Sequence, residues 1–403
     1  MIYQVFNSLL YPFILPPALV WADRRRDYPL KIWKRISPEI EKKYTYFFHL
    51  ASLGEAKTVS PLLELWKEKR EEILFETVTP TGYDELRKKN VDVILFPFDY
   101  YPLLRLNLRR SGVKEVFVFE TELWPGLFSA ALDLNLRIRM LNVKFSSSTI
   151  SMLRRTAFFW KRRLRKVDEW FVVDEGVRNF LVEYGIEPGK IKIVPDLKYL
   201  SSFEEKSVPE EIEEKLRAWV GNRRKKIIVM GSMHRGEEVI VEKVNFKKFR
   251  VIYVPRHLNY LDELKHYFSE RGLRVSLFSD TAEKDSDILL VDKYGLLSFL
   301  YNAGDIAVIG GSFVPHGGHN PLEAVNFKKP VIFGRHMENF KEIAGDIVEC
   351  GGGSFCDMEE IGELFENYEK FFPPDKIRSC YERLKKKSEI VRDAYSLIVM
   401  GTN

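Results

Sequence analysis

Residues 306–333 read IAVIGGSFVPHGGHNPLEAVNFKKPVIF, and this stretch decides the fold class. Two short β-branched runs, residues 306–309 and 331–333, enclose a glycine-rich loop and a segment suited to a helix. A strand, a helix and a second strand at this spacing form a unit whose strands run parallel and whose helix covers the sheet. The stretch therefore predicts an α/β fold.

The same alternation extends along the chain in two series. The first series predicts strands at residues 44–50, 73–77, 91–96, 116–119, 137–142 and 170–173. The second predicts strands at residues 192–194, 226–230, 250–254, 275–277 and 288–291, followed by the two strands quoted above. A polar stretch between Pro195 and Pro209 interrupts the alternation. We therefore expect two doubly wound, Rossmann-like domains that face each other across a cleft, each with its functional edge at the carboxyl ends of its strands.

The composition is that of an ordinary globular protein. The chain has 403 residues, of which 45% are hydrophobic and 30% are charged, and this balance excludes disordered, fibrous and polytopic membrane proteins. A net charge of +5 is too small to indicate a nucleic-acid partner. The three cysteines match neither a disulfide framework nor a zinc pattern, which favours a reduced protein.

Residues 1–22 contain no ionisable side chain, and Arg24, Arg25 and Arg26 follow them. Spanning a bilayer takes about 20 apolar helical residues, so the length only just suffices. Prolines within the segment interrupt helical hydrogen bonding, which favours a short, kinked or interfacial membrane anchor. The basic residues after it predict that the remainder stays on the cytoplasmic side. A core helix of the first domain is the alternative.

A second basic stretch spans residues 150–166, which contain no acid and include Phe158, Phe159 and Trp160. Basic residues interleaved with aromatic ones suit an anionic membrane surface or a lipid headgroup. RNA binding and a solvated helix face are the alternatives. As contacts for the membrane and a lipid ligand we single out Arg154, Arg155, Arg162 and Arg163.

Carboxylates follow two strands of the first series. The first strand leads through Gly54, which permits a tight turn, to Glu55 at the start of a helix. An acid in the first turn also complements the helix dipole, so Glu55 is either a catalytic group or a stabilising one. Glu120 and Glu122 come directly after another strand, where two carboxylates one residue apart are unusual for a turn. Both places are candidate catalytic positions.

Four strand ends of the second series suit an anionic ligand. Residues 231–238 read GSMHRGEE, and small residues there expose backbone N–H groups at a helix start. Arg256 follows the next strand and supplies a guanidinium. The third end holds the paired glycines at 310–311, and the fourth begins at Gly334. Together these four ends predict a nucleotide-type site.

The helix start within the quoted stretch refines that prediction. Pro321 fits the first helical position after an Asn320 cap, and this places Glu323 in the first turn, where it can accept hydrogen bonds from ribose hydroxyls. From the residues alone, the donor-site candidates also include Ser232, His234, Gly311 and Gly318.

Three runs carry a resemblance to a known family: GGHNPLE at residues 317–323, ETELWP at residues 120–125 and TPTG at residues 79–82. In these runs and over most of its length the chain resembles the Kdo transferases. That family moves 3-deoxy-D-manno-octulosonic acid (Kdo) from CMP-Kdo onto a lipid A precursor. The resemblance implies an inverting, metal-independent glycosyltransferase of the GT-B fold that needs no cofactor and acts at the cytoplasmic face of the inner membrane.

The resemblance also implies roles and boundaries. Glu55 falls at the position of the general base, while Glu120 and Lys198 fall where the transition state is supported. The implied CMP-binding positions are Pro255, Arg256, Tyr294, Gly295, Leu296, Asn320, Pro321, Leu322 and Glu323. We expect an anchor at 1–22, an acceptor domain at 23–200, a CMP-sugar domain at 201–375, and a helix at 376–403 that packs back on the acceptor domain. The expected partners are CMP-Kdo, a lipid A precursor and inner-membrane lipids, without nucleic acid.

The sequence departs from the family pattern in places. Residues 294–296 read YGL where many members have MGE, and residues 142–146 read NVKFS in place of NARLS. A D-x-D occurs at 285–287, but it precedes a predicted strand, which favours a loop over a metal site. Two other functions remain open, a GT-B transferase that uses a UDP-sugar and a lipid-linked acceptor, and a non-catalytic protein that binds a membrane surface.

Overall fold

A computed structural model describes residues 31–203, 208–221, 225–280 and 286–400. Contacts divide the chain into two compact units. The first unit comprises the described residues up to Ser201 together with those from Ser388 onward, and the second comprises Ser202–Lys387. The predicted anchor at residues 1–22 lies outside the described residues, and no helix within the described ranges is long and apolar enough to cross a membrane.

The first unit contains a seven-stranded parallel sheet in the order β3-β2-β1-β4-β5-β6-β7. Its strands are β1 (Tyr46–Leu50), β2 (Ile73–Thr77), β3 (Val93–Leu95), β4 (Glu115–Phe119), β5 (Arg137–Val143), β6 (Glu169–Val172) and β7 (Ile191–Ile193). Its helices are α1 (Ile32–Ile36), α2 (Leu53–Leu65), α3 (Pro80–Lys88), α4 (Tyr101–Ser111), α5 (Pro125–Asp133), α6 (Ser147–Arg155), α7 (Ala157–Leu164) and α8 (Glu175–Tyr184). Short 3-10 turns lie at Lys67–Glu72, Pro188–Lys190 and Leu197–Ser202.

Local sequence explains where these helices begin. A proline occupies the first turn of α3, α4 and α5, where its missing N–H is not needed. Asp174 caps α8 by accepting a hydrogen bond from the Val177 N–H at 2.8 Å. The central strands are buried on both faces because helices cover both sides, so they are runs of apolar residues instead of alternating ones.

The second unit repeats this architecture with a different strand order, β10-β11-β9-β8-β12-β13-β14, again all parallel. Its strands are β8 (Lys226–Met233), β9 (Phe249–Pro255), β10 (Val275–Leu277), β11 (Ile288–Leu290), β12 (Ile306–Ile309), β13 (Val331–Phe333) and β14 (Gly353–Phe355). Its helices are α9 (Glu210–Val220), α10 (Leu261–Glu270), α11 (Leu297–Ala303), α12 (Leu322–Val325), α13 (Lys341–Glu349), α14 (Ile361–Glu366), α15 (Tyr368–Phe371) and α16 (Pro374–Met400). Short 3-10 turns lie at Glu238–Lys243, Leu258–Tyr260 and Glu338–Phe340.

The prediction of two doubly wound parallel sheets is confirmed. The strand predicted at residues 192–194 was assigned to the second series, but it is β7 of the first sheet, because it pairs with β6. In the first sheet the chain reverses its direction of travel between β1 and β4, and in the second between β8 and β12. Ligands of open α/β sheets bind at such reversals, outside the carboxyl ends of the strands. The topology therefore directs attention to the loops after β1 and β4 in one unit and after β8 and β12 in the other.

The long helix α16 begins in the second unit, and its end lies in the first, where backbone carbonyls of α16 accept two side-chain hydrogen bonds. The Trp66 indole donates to Tyr395 O at 2.9 Å, and Arg139 donates to Ile398 O at 2.8 Å.

One expectation from the sequence differs from the structure. Cys350 and Cys380 form a disulfide with a Cα–Cα distance of 5.0 Å, whereas three reduced cysteines were expected; Cys356 is free and buried. Cys350 ends α13 and Cys380 lies in α16, so only the packing of these two helices brings the thiols together.

Candidate functional site

Glu55 lies in the first turn of α2, directly after the central strand β1. Ser52 caps the helix by accepting a hydrogen bond from the Glu55 N–H, and the Ser52 hydroxyl donates to Glu55 Oε1 at 3.1 Å. The Ala51 N–H donates to Glu55 Oε2 at 2.8 Å. This is close to a capping box, in which the acid of the first turn reaches back to the chain before the helix. Glu55 is thus held rigidly at the reversal point of the first sheet.

The electrostatic surroundings of Glu55 suit a proton acceptor. Burial raises the pKa of Glu55 to about 7. The hydrogen bond from the Ala51 N–H lowers it in part, the neighbouring carboxylates Glu120 and Glu122 raise it, and the Ser52 hydroxyl lowers it slightly. A general base works best when its pKa lies near the working pH, because it is then both available and basic. A capping role alone does not require this shift, since capping favours the ionised form.

Glu120 follows β4, the strand beside β1, and adopts a left-handed φ of 54° that turns the chain away from the sheet. The Glu120 carboxylate lies 3.7 Å from Lys144 Nζ, and the same ammonium lies 2.5 Å from Asp196. Burial on its own would raise the pKa of Asp196, but Lys144 and the Lys198 backbone N–H hold it below its ordinary value. These groups form a row of alternating charge along the carboxyl edge of the first sheet.

Lys198, expected from the resemblance, belongs to this row. Its backbone N–H donates to Asp196 Oδ1 at 3.0 Å, and its charge also acts on Asp196. Lys144 was not expected. It stands within the stretch where the sequence departs from the family pattern, and the structure places it between Glu120 and Asp196.

The other motif residues of the first unit have local partners. The Trp124 indole donates to Glu122 Oε2 at 2.6 Å, which orients this carboxylate at the start of α5. In the TPTG run, Thr79 caps α3 by accepting from the Gly82 N–H at 3.2 Å. A Cβ at Gly82 would come within 2.6 Å of Thr77 Oγ1 and 3.3 Å of the Ser52 backbone, so this glycine lets α3 pack against the turn that carries Glu55.

In the second unit, Glu237 links the loops after β8 and β12 through hydrogen bonds. Its side chain is fully buried and accepts hydrogen bonds from the N–H groups of His234 at 2.7 Å, Gly311 at 2.8 Å and Phe313 at 3.0 Å. Burial raises the pKa of Glu237, although these backbone donors lower it in part. Sequence reasoning named this loop but not Glu237. The acidic pair after Gly236 was the available signal.

The backbone of these loops requires unusual conformations. Ser232 and Gly311 have left-handed φ values of 58° and 67°. A Cβ at Gly310 would lie 2.3 Å from Ser232 O, so the absence of a side chain at Gly310 lets the two loops meet at backbone distance. Gly318, with φ 72°, donates its N–H to Gly311 O at 2.8 Å and closes the loop after β12.

The loops after β8, β9 and β12 bring basic side chains to one place. The His234 and His319 rings are joined Nε2 to Nε2 at 2.9 Å. Arg256 follows Pro255 at the end of β9, its N–H donates to Met233 O at 2.8 Å, and its side chain is exposed. This backbone hydrogen bond fixes the main chain of Arg256 next to the loop that carries His234.

The predicted nucleotide-binding turns lie at the same edge of the second sheet. Asn320 accepts a hydrogen bond from the Leu322 N–H at 3.1 Å, but Pro321 is the cap residue of α12 and not its first helical residue. Glu323 lies in the first turn and acts electrostatically on the buried Tyr301.

The YGL turn at residues 294–296 follows β11. Gly295 has a left-handed φ of 83°, and the Tyr294 ring, 67% exposed, accepts the Leu258 N–H at 3.2 Å through its hydroxyl. Leu296, at the end of this turn, is the residue that directly precedes α11.

The basic stretch at 150–166 forms the helices α6 and α7. Phe158 is 89% exposed, and Arg155 and Arg162 are exposed with it. Trp160, by contrast, is buried against Phe128, so it belongs to the core and not to the surface pattern that the sequence suggested.

The other two arginines that were singled out from the sequence make contacts within the unit. Arg154 pairs with Glu183 at 3.1 Å, and Arg163 stacks over the Phe159 ring at 4.0 Å.

The D-x-D sequence has a structural role where it is described. Asp287 accepts the Arg274 N–H at 3.2 Å and pairs with the Arg274 guanidinium, which ties the start of β11 to the chain before β10. Across the described ranges no group of three or more histidine, cysteine, aspartate or glutamate side chains is arranged to hold a metal ion.

Comparisons with known proteins identify similar sequences and similar folds. The profile of the family described as 3-deoxy-D-manno-octulosonic-acid transferase (kdotransferase) matches residues 24–201. A bifunctional glycosyltransferase/methyltransferase of Fusobacterium nucleatum is 32% identical over 354 residues, which cover 84% of this chain and 53% of that protein. The chain thus spans about half the length of that relative. The 3-deoxy-D-manno-octulosonic acid transferase of Haemophilus influenzae is 29% identical over 76% of this chain and 74% of its own length.

Among solved structures, a glycosyltransferase from Rickettsia africae superposes with a TM-score of 0.58 at 16% identity. The match covers 90% of this chain and 100% of that one, and at this identity it bears on the fold alone.

Proposed function

Because the chain belongs to the family of 3-deoxy-D-manno-octulosonic acid (Kdo) transferases, we propose that it transfers Kdo from CMP-Kdo to a lipid A precursor in lipopolysaccharide biosynthesis. The observation that carries the proposal is Glu55, a rigidly held carboxylate at the reversal point of the first sheet whose pKa is raised to about 7. A transferase that activates a hydroxyl acceptor needs such a group at neutral pH.

In the proposed reaction the Glu55 carboxylate takes the proton from the acceptor hydroxyl. The hydroxyl oxygen forms a bond to the anomeric carbon of Kdo as the bond from that carbon to the CMP phosphate breaks, and CMP leaves with the bonding electrons. A single displacement of this kind inverts the anomeric configuration and passes through an oxocarbenium-like transition state. The charged row that includes Glu120, Lys144 and Lys198 supports the developing charge from the same sheet edge.

The second unit is proposed to bind the CMP part of the donor. Backbone N–H groups of the loops after β8 and β12, together with the Arg256 guanidinium, suit the phosphate. Glu323, in the first turn of α12, is the proposed acceptor for ribose hydroxyls. The remaining proposed donor residues are Ser232, His234, Pro255, Tyr294, Gly295, Leu296, Gly311, Gly318, Asn320, Pro321 and Leu322.

A donor panel tests this function. Purified protein is incubated with a lipid A precursor and one donor at a time: CMP-Kdo, another CMP-sugar or a UDP-sugar. The mass of the lipid product is then measured by mass spectrometry. We expect a mass increase of one or more Kdo units with CMP-Kdo alone. A product formed only from a UDP-sugar favours the other GT-B transferase, and no product from any donor favours a non-catalytic protein.

Binding at the membrane surface is proposed for α6 and α7. The exposed Phe158, Arg155 and Arg162 suit an anionic lipid headgroup layer, where each basic residue contributes about 1 kcal/mol. In vesicle sedimentation with anionic lipids, Arg155→Gln and Arg162→Gln should each weaken binding about fivefold. The double variant Arg109→Gln/Arg110→Gln, exposed residues at the end of α4, serves as the matched control. If the test variants bind the vesicles as strongly as the control variant does, the membrane-binding surface lies elsewhere on the protein.

A further inference from the structure

Four of the seven histidines in the chain gather at the carboxyl edge of the second sheet. His234 lies at the centre, with the His316 ring stacked on it at a centroid distance of 4.2 Å and the His319 ring nearly parallel to it at 5.2 Å. The His257 ring meets His234 edge-on at 5.8 Å. These residues come from the loops after three different strands, so the fold assembles the cluster. Only His234 was singled out from the sequence.

The contact between His234 and His319 limits how many protons the pair holds. Their Nε2 atoms are 2.9 Å apart, so one nitrogen must carry the hydrogen and the other must accept it. If both rings were doubly protonated, both Nε2 atoms would be donors and the hydrogen bond would be lost. The pair therefore accepts no more than one extra proton while this contact persists.

Gly311 allows the pair to form. A Cβ at this position would lie 3.2 Å from the rings of both His234 and His319. The glycine that follows β12 thus leaves room for the two rings beside the backbone. Its N–H is held by the buried Glu237, so the floor of the cluster is fixed.

The charges around the cluster disfavour protonation in the free protein. Burial, followed by His316, His257 and Arg256, lowers the pKa of His234 to about 4. Burial and then Arg256 lower the pKa of His319 to about 4 as well. The groups that act on the pair from the surrounding loops are Arg256 and His257 after β9 and His316 after β12. The nearby Glu237 carboxylate accepts backbone N–H groups, and Arg335 and His336, after β13, face Asp357 and Glu338.

A site of this composition favours an anion over a metal cation. The Arg256 guanidinium repels a cation but attracts a phosphate or carboxylate, and the imidazoles can donate hydrogen bonds to either. An anion placed among these rings supplies the opposite charge that protonation requires.

We infer that the cluster of His234, His257, His316 and His319 is an oxyanion subsite that takes up a proton from solvent when the anionic part of the donor binds. The inference rests on the proposed function and deepens it, because CMP-Kdo offers two such anions, the phosphate and the sugar carboxylate. The proton leaves hydronium or the buffer acid and forms an N–H bond with the lone pair of an imidazole nitrogen, and no bond between heavy atoms changes.

Calorimetry tests the inference directly. CMP, cytidine and intact CMP-Kdo are titrated without acceptor at pH 6 in buffers of different ionisation enthalpy, and the dependence of the heat on the buffer counts the protons taken up. The double variant His234→Gln/His319→Gln is titrated in the same way, since the comparison removes any proton that the CMP phosphate itself exchanges. His266→Gln, at an exposed histidine of α10, is the control.

We expect the wild type and His266→Gln to bind at most about one proton more than the double variant does. Their affinity for the ligand should fall by at most about tenfold for each unit by which the pH rises. Extra uptake already seen with CMP but not with cytidine assigns the subsite to the phosphate, and extra uptake confined to CMP-Kdo assigns it to the carboxylate. Equal uptake by the wild type and the double variant with every ligand overturns the inference.

Two further measurements keep the result decisive. If circular dichroism shows that the double variant is misfolded, the exposed His316→Gln and His257→Gln replace it, and equal uptake again overturns the inference. Zn²⁺ binding that competes with CMP and is lost in the variants would also overturn it, because the cluster would then be a metal centre. Proton uptake on CMP binding without Kdo transfer rejects the proposed function alone, whereas transfer without extra uptake rejects this inference alone.

Discussion

The two sheet edges use the same architecture for opposite chemistry. At the edge of the first sheet burial acts on an acid and raises the pKa of Glu55 to about 7, while at the edge of the second it acts on bases and lowers the pKa of His234 to about 4. In both places desolvation favours the neutral form of the side chain. In the proposed reaction the first edge receives a proton from a neutral hydroxyl, and in the inferred subsite the second edge responds to an incoming negative charge. Two similar sheets thus differ in the electrostatics of a few residues at their reversal points.

The comparison breaks if Glu55 proves structural, and this test has the largest expected effect. Glu55→Gln keeps the size and hydrogen-bonding capacity of the side chain but cannot accept a proton at neutral pH. General-base assistance contributes about 10²–10⁴ in rate, so we expect steady-state turnover to fall at least about a hundredfold with CMP affinity unchanged. Glu64→Gln, an exposed acid on the same helix, is the matched control. Near-normal turnover in Glu55→Gln would shift attention to Glu120 and Glu122.

The assignment of donor binding to the second edge is sharpened by Arg256→Ala and Glu323→Ala. Each should weaken CMP binding by about ten- to a hundredfold, since a lost hydrogen bond to a charged group corresponds to about 1.5–3 kcal/mol. Arg271→Ala removes a cation that pairs with Glu242 and should leave the affinity unchanged. Calorimetric titration that finds wild-type affinity in both test variants would place the nucleotide elsewhere.

The smallest expected effect is on the free energy of unfolding. The sign of the change in Glu55→Gln distinguishes a carboxylate with a raised pKa from one whose main role is to cap α2. The folded-state pKa of Glu55 lies above its ordinary value of 4.5, so the folded protein binds more protons than the unfolded chain between those pH values. Stability from this group is therefore present at low pH and is lost as pH rises from about 4.5 through about 7.

We accordingly expect Glu55→Gln to be more stable than the wild type by about 1 kcal/mol at pH 8 and not at pH 4.5, measured by urea unfolding. A less stable variant at pH 8 would mean that the ionised carboxylate stabilises α2 and that its main role is capping.

The strand pattern predicted much of the fold, and its single missing strand shows the limit. β14 begins at the last of three consecutive glycines and was not expected, because glycine has little strand propensity and the strand exists by pairing with β13. Likewise, β11 lies between β10 and β9, an order that nothing in the local sequence specifies.

The candidate site divides in the same way. Glu55 and Arg256 are visible in the sequence because each lies within a few residues of the end of a predicted strand. Lys144 and Glu237 are not, since their roles depend on partners that the sheet order brings close: Asp196 for the first, and backbone N–H groups of a loop 74 residues away for the second. The histidine cluster was missed for the same reason.

Glu237 has a consequence for how the second unit opens. One buried carboxylate holds the amides of His234, Gly311 and Phe313, which belong to two separate loops. Releasing any one of them leaves the buried carboxylate with one hydrogen bond fewer, which is costly for a charge that water does not reach. The three amides are therefore expected to open together and not one by one. In hydrogen–deuterium exchange they would form one cooperative group, and the donor loops would be either both assembled or both lost.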